Sequence, residues 1–242
     1  MPMNDPIDYE RLSDDHRRLA KSVYETLKQF LDALDDEKKI AAQYEDALDA
    51  LDDEERRFAE RIFALDPKTL GFNGEFCGRE RPEELVAVPS VTLPLGEGTY
   101  ETDTQFVPKP AYEGFKKMAA AMKEEIGSTI YVDSAYRGPG RQAYLFFYEL
   151  VEHCDYSLRE NARWIAMPGY SQHGDPVRTA IDVVNERGIS GEGPGQKPED
   201  FEREPEYRWL LENARRFNFE LSYPRDNKDG VAFEPWHWRW AG

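Results

Sequence analysis

Four histidines are spread through 242 residues, and two of them stand where an imidazole could do chemistry. His173 follows the turn-forming run Pro168-Gly169-Tyr170-Ser171-Gln172 and precedes Gly174-Asp175-Pro176. Further on comes Asp182, inside the β-prone run Thr179-Ala180-Ile181-Asp182-Val183-Val184. A carboxylate among apolar strand residues is costly unless it is paired or coordinates a metal. Arg178 would be one such partner and a metal ion another. His237 lies in Phe233-Glu234-Pro235-Trp236-His237-Trp238-Arg239-Trp240. In an extended strand Trp236, Trp238 and Trp240 share one face, while His237 and Arg239 take the other. A regular strand would put Glu234 with the tryptophans. Pro235 removes a ladder donor, so the segment predicts a kink or bulge that turns Glu234 toward His237. An aromatic edge strand with an incidental His and Glu is the competing reading.

Catalytic zinc takes three protein ligands from His, Asp or Glu and keeps one position for water. Water held by zinc becomes a nucleophile near neutral pH and needs a carboxylate to take its proton. Two His, one Asp and a nearby Glu make up that inventory. The other histidines have plainer settings: His16 lies on a helical apolar stripe, and His153 stands at a helix C-terminus, where a cation is favoured. Cys77 and Cys154 are far apart and not in a CxxC pair, which suits two thiols better than a four-cysteine zinc site.

These residues need elements to hold them. Leu12, His16, Leu19, Val23, Leu27, Phe30 and Leu34 recur at helical spacing, and Ile40, Tyr44, Leu48, Leu51, Phe58, Ile62 and Leu65 continue the pattern. Asp35-Asp36 and Asp52-Asp53 are placed to cap new helix starts. Two or three antiparallel helices ending at Asp66-Pro67 are therefore expected, giving an N-terminal helical extension over residues 1–66 and a second domain over 67–242. The stripe must be covered, by that domain or by self-association. Leu70 to Pro110 reads as loops with one or two short strands. Beyond it the patterns predict helices at Tyr112–Ile126, Arg141–His153 and Pro205–Phe217, with Gly127 stopping the first. Strands are predicted at Thr129–Asp133, Ala180–Val184, Phe219–Tyr223 and Val231–Trp240. Interleaved helices and closely spaced late strands give an α+β fold, helices packed on a small antiparallel sheet.

Composition sets the outer limits. The chain is 40% hydrophobic and 33% charged, as a globular protein is, and no run is long enough to span a bilayer. A formal net charge of -17 argues against nucleic acid or an anionic membrane surface as the main partner. Met1 to Glu10 is polar, without the basic-then-apolar pattern of a secretory signal, so a cytoplasmic location is expected.

Taken together, Ser171-Gln172-His173, Ala180-Ile181-Asp182-Val183 and Glu234-Pro235-Trp236-His237-Trp238-Arg239 resemble the VanY-type D-alanyl-D-alanine carboxypeptidases, zinc peptidases acting on peptidoglycan peptides. Ser134-Ala135-Tyr136-Arg137 with Gln142, the run Trp209 to Ala214, and Phe219 to Pro224 match as well. The resemblance covers about residues 85 to 242. It implies a hedgehog/DD-peptidase-like fold and one zinc ion per chain on His173, Asp182 and His237. It also implies Glu234 as general base and Arg137 as the cation facing the oxyanion of the tetrahedral intermediate. Ser134, Tyr136, Gln142, Ser171 and Trp236 occupy family positions near the substrate, a peptidoglycan stem peptide or its precursor.

One departure stands out. The family spaces its ligands His-x6-Asp, whereas eight residues separate His173 from Asp182 here. Two added residues can bulge out of a connection at small entropic cost, though at the cleft mouth they can alter substrate choice. Removal of a C-terminal D-alanine is the leading expectation. An L,D-carboxypeptidase or a cell-wall endopeptidase is the alternative within the enzyme class, and a zinc-stabilised interaction module the alternative outside it. A cell-wall substrate and a chain without a visible export signal are in tension. Recycled fragments inside the cell, lysis or trimming would each resolve it.

Overall fold

The computed structural model describes residues 5–242, so the first four residues of the polar start lie outside it. In chain order the helices and strands are α1 (Asp14–Asp32), α2 (Asp36–Ile40), α3 (Tyr44–Asp49), α4 (Asp53–Phe63), β1 (Leu85–Val88), β2 (Thr92–Leu95), β3 (Gly98–Glu101) and β4 (Gln105–Pro108). They continue with α5 (Lys109–Ile126), β5 (Ile130–Ser134), α6 (Pro139–Glu152), α7 (Leu158–Asn161), β6 (Ala180–Asn185), α8 (Pro198–Glu202), α9 (Pro205–Asn213), β7 (Phe219–Leu221) and β8 (His237–Trp240). Short 3-10 turns occur at Pro67–Leu70, Gln172–Gly174 and Ala214–Phe217. The chain divides into two compact units. No described helix is long and apolar enough to cross a membrane.

The first unit comprises the chain up to Arg81, Arg137–Gly174 and Lys228–Ala232. Its N-terminal stripe breaks into four helices rather than two or three. Asp35 and Asp52 start new ones by accepting backbone N–H bonds, from Lys38 and from Glu54 and Glu55. Glu55 returns the bond to the Asp52 amide, closing a capping box, and its carboxylate accepts the hydroxyls of Ser22 at 2.6 Å and Thr26 at 3.0 Å. A buried acid is thereby satisfied by neutral donors. The stripe packs Val23, Leu27, Phe58 and Ile62 against Phe146, Phe147 and Leu150 of α6. His16 belongs to this core, its ring stacked 5.5 Å from that of Phe58. Residues far along the chain, on α6, therefore cover the N-terminal stripe.

The second unit comprises Pro82–Tyr136, Asp175–Asn227 and Phe233–Gly242. Its main sheet has the order β5-β6-β8-β7, antiparallel throughout. β6 lies in the interior of the sheet and every one of its residues is buried, which suits its β-branched Ile181, Val183 and Val184. One face packs Ile181, Val183 and Trp238 with Phe115, Met118, Leu210 and Phe219. Two further antiparallel pairs, β1 with β4 and β2 with β3, form in the stretch expected to hold loops and one or two short strands, so four strands stand where one or two were expected. These strands are four residues each and carry Pro94, Gly98 and Pro108, so they show no clear alternation.

Candidate metal centre

The central sheet sets a carboxylate and an imidazole against each other by register. Asp182 of β6 pairs directly with His237 of β8. Directly opposed residues of an antiparallel pair have neighbouring side chains on one face. Asp182 Oδ1 lies 2.9 Å from His237 Nδ1, and both residues are almost fully buried. Arg178 Nε lies 3.5 Å from Asp175 Oδ2.

Glu234 reaches the same place through a turn. The His237 amide donates to the Glu234 carbonyl at 3.2 Å, so residues 234–237 form a tight reversal around Pro235, and β8 begins only at His237. The strand is thus shorter than the aromatic pattern suggests, and the reversal carries Glu234 away from the tryptophan face. Glu234 Oε2 stands 3.6 Å from His237 Nδ1. Tyr223 supports both residues: its carbonyl accepts the Glu234 amide at 3.1 Å, and its ring lies 4.8 Å from the His237 imidazole. Trp238 faces the core and ties its indole N–H to the Pro235 carbonyl at 3.0 Å.

His173 sits in the 3-10 turn Gln172–Gly174, 2% exposed, and its carbonyl accepts the Arg137 amide at 3.0 Å. One ligand atom from each of His173, Asp182 and His237 falls within 4.8 Å of the other two. Ligand atoms at the vertices of a tetrahedron with bonds of roughly 2.0–2.1 Å are about 3.3 Å apart, so the three donors suit one small divalent cation. Two imidazoles and a carboxylate are zinc-type donors, and three side chains leave a vertex open.

The remaining residues singled out in the sequence fall into two groups. Ser134 ends β5 directly opposite Asp182, half-buried. Arg137 is half-buried, with its Nε enclosed and lacking a hydrogen-bond partner. Ser171 is buried, and its carbonyl receives the Gly174 amide that closes the His173 turn. Tyr136, Gln142 and Trp236 are buried with structural contacts. The Tyr136 amide bonds the Phe106 carbonyl at 3.2 Å, and Gln142 Nε2 donates to the Ala166 carbonyl at 2.7 Å. The Trp236 carbonyl accepts the Val183 amide at 3.0 Å.

Two features escape the sequence reading. The first is a β-bulge: Val132 pairs with Val183 and Ser134 with Asp182, leaving Asp133 as the extra residue. Its carboxylate accepts the Tyr100 hydroxyl at 2.8 and 2.9 Å. Burial pushes the Asp133 carboxyl up to about 6, aided by the negative charge of Asp182 and against the Tyr100 hydrogen bond. The Tyr100 phenol is raised in turn, by burial first and then by Asp133. The second feature holds the lengthened connection after His173. Asp175 Oδ2 meets Arg239 at 2.7 Å, both residues buried, while Asp175 Oδ1 accepts the Val177 and Arg178 amides. Burial alone would raise the Asp175 carboxyl. The two amides and the guanidinium outweigh it and hold the group below the ordinary carboxylate range. No pattern in the sequence marks Asp133, whereas Asp175 stands within the added spacing itself.

Comparison with known proteins places this geometry. The family model described as VanY, D-alanyl-D-alanine carboxypeptidase, matches residues 104–242, more than half of the chain. YodJ of Bacillus subtilis (strain 168) is 28% identical over 186 residues, which is 76% of this chain and 61% of that protein. The D-alanyl-D-alanine carboxypeptidase of Enterococcus faecalis (strain ATCC 700802 / V583) is 39% identical over 85 residues, 34% of this chain and 27% of the relative. The chain therefore spans less than two thirds of the length of these relatives. Among solved structures, the LdcB LD-carboxypeptidase superposes with a TM-score of 0.53 at 25% identity, covering 73% of this chain and 78% of that one.

Proposed function

The chain belongs to the VanY (D-alanyl-D-alanine carboxypeptidase) family, and we propose that it is a zinc peptidase that removes a C-terminal D-alanine from peptidoglycan-type peptides. The observation that carries this reading is the meeting of His173, Asp182 and His237 around one point with the Glu234 carboxylate beside them. A purely structural metal site has no use for that second acid.

His173, Asp182 and His237 would hold the ion. Bound zinc supplies a Lewis acid for the scissile carbonyl and acidifies a water to near neutrality. Glu234 takes a proton from the attacking water as its oxygen adds to the carbonyl carbon, then gives that proton to the leaving amine nitrogen as the C–N bond breaks. Arg137 supplies a fixed positive charge for the oxyanion. Ser134 and Ser171 are offered as substrate-orienting groups. Tyr136, Gln142 and Trp236 are offered alongside them as substrate-binding residues, on the family resemblance of their motifs.

A second reading, cleavage after an L-configured residue, is favoured by the likeness to the LdcB LD-carboxypeptidase. Peptides ending in D-alanyl-D-alanine and in an L-residue followed by D-alanine, each with a free or amidated C-terminus, separate the cases by mass spectrometry. The proposal requires release of D-alanine from the first peptide and loss of cleavage on amidation. Faster cleavage of the second peptide makes the chain an L,D-carboxypeptidase. Equal cleavage of amidated and free peptides would make it an endopeptidase.

A further inference from the structure

The segment Ile40–Gln43 precedes the residues matched by the family model, yet it is hydrogen-bonded to the loop that carries Arg137. The Gly138 amide donates to the Ile40 carbonyl at 2.8 Å, and the Gly140 amide to the Ala42 carbonyl at 2.8 Å. Both glycines are needed for space. A Cβ on Gly138 would lie 2.5 Å from the Ala42 carbonyl oxygen, and one on Gly140 2.3 Å from that of Gln43. These are backbone atoms, which cannot swing aside as a side-chain tip can. The segment is itself shaped: Ala41 closes α2, Gln43 precedes α3, and Gln43 Nε2 donates to the Ala41 carbonyl at 2.6 Å. Ala41 and Ala42 are buried.

The contacts continue one step further. Arg137 immediately precedes Gly138, and its amide donates to the His173 carbonyl at 3.0 Å. A series of backbone hydrogen bonds and one peptide link thus runs from residues 40–42 through Gly138 and Gly140 to Arg137 and His173. Loops held only by their own turns shift readily, and a displacement of about 1 Å in a catalytic group can cost about a hundredfold in rate. We infer that residues 40–43 are a positioning segment for Arg137 and His173, so that the N-terminal helices are a working part of the site. The inference rests on the roles proposed above for those two residues.

The test uses the full chain with Gly138→Ala, Gly140→Ala and Gln43→Ala, and Phe58→Leu as a control. Phe58 lies in the same helical core but not on this path. Melting temperature, kcat and KM on a peptide ending in D-alanyl-D-alanine, and zinc affinity by chelator competition are measured for each. The glycine variants are expected to lose about tenfold or more in kcat and about tenfold in zinc affinity, with Gln43→Ala showing smaller losses in the same direction. Phe58→Leu lowers the melting temperature and leaves both quantities at wild-type values. Folded variants with wild-type kcat and zinc affinity, or a control that loses as much as they do, overturn the inference. Should a glycine variant fail to fold, Gln43→Ala decides. A wild-type chain that binds zinc but spares every peptide sinks the proposed function, and zinc affinity then decides the positioning role by itself.

Discussion

Asp182 and His237 face each other across directly paired positions of β6 and β8, with Oδ1 and Nδ1 2.9 Å apart. Side chains alternate along a strand, so a slip of one residue would send one of the pair to the opposite face. The register of two strands 55 residues apart in sequence therefore decides whether two donors can share an ion.

Removing either partner should remove the metal. His237→Ala and Asp182→Ala are expected to lose zinc on dialysis while the wild type keeps about one ion per chain, read by elemental analysis. Wild-type zinc content in His237→Ala would take that residue out of the ligand set.

Glu234 should separate binding from catalysis. Glu234→Ala is expected to retain zinc and to lose about 10²–10⁴-fold in kcat, the usual contribution of a general base. Stopped or discontinuous assays at saturating peptide measure it. A variant that turns over at the wild-type rate disproves the assigned role.

The Asp175–Arg239 pair should matter to stability more than to chemistry. Removing one partner of a buried pair leaves the other without compensation, so Asp175→Ala is expected to cost about 3–5 kcal/mol in denaturant unfolding. The sign with pH follows from the lowered Asp175 carboxyl: its contribution is present above the ordinary carboxylate range and lost as pH falls through its depressed value. The gap between wild type and variant should accordingly narrow in strong acid. A constant gap would mean that packing, not charge, explains the loss.

Asp133 has the opposite sign. Its carboxyl is raised to about 6, so between roughly pH 4 and 6 the folded chain holds a proton that the unfolded chain releases. Stability should fall as pH rises through that window, by up to about 3 kcal/mol, and Asp133→Asn should flatten the difference. Parallel pH–stability curves for the two proteins would contradict this.

Local chemistry was legible in the sequence. The spacing of Leu12, His16, Val23 and Leu27 marks one helix face, Asp35 and Asp52 mark helix starts, and Pro235 announces the reversal that brings Glu234 to His237. Each is a matter of a few neighbouring residues, where backbone geometry and capping act directly. The proposed donors His173, Asp182 and His237 come instead from the family resemblance of the short motifs around them.

What covers the N-terminal stripe was not legible, nor was the bulge at Asp133 or the grip of Ile40–Gln43 on Gly138 and Gly140. A hydrophobic face records that it must be buried without recording against what, and here α6 supplies the partner. Carbonyl acceptors such as those of Ile40 and Ala42 are identical in every residue type, so no side-chain pattern betrays them. The sequence by itself determined which groups are available for the proposed chemistry and where Asp35 and Asp52 start new helices. Strand register and long-range backbone pairing decided how those groups meet, because both depend on contacts between residues that are far apart along the chain.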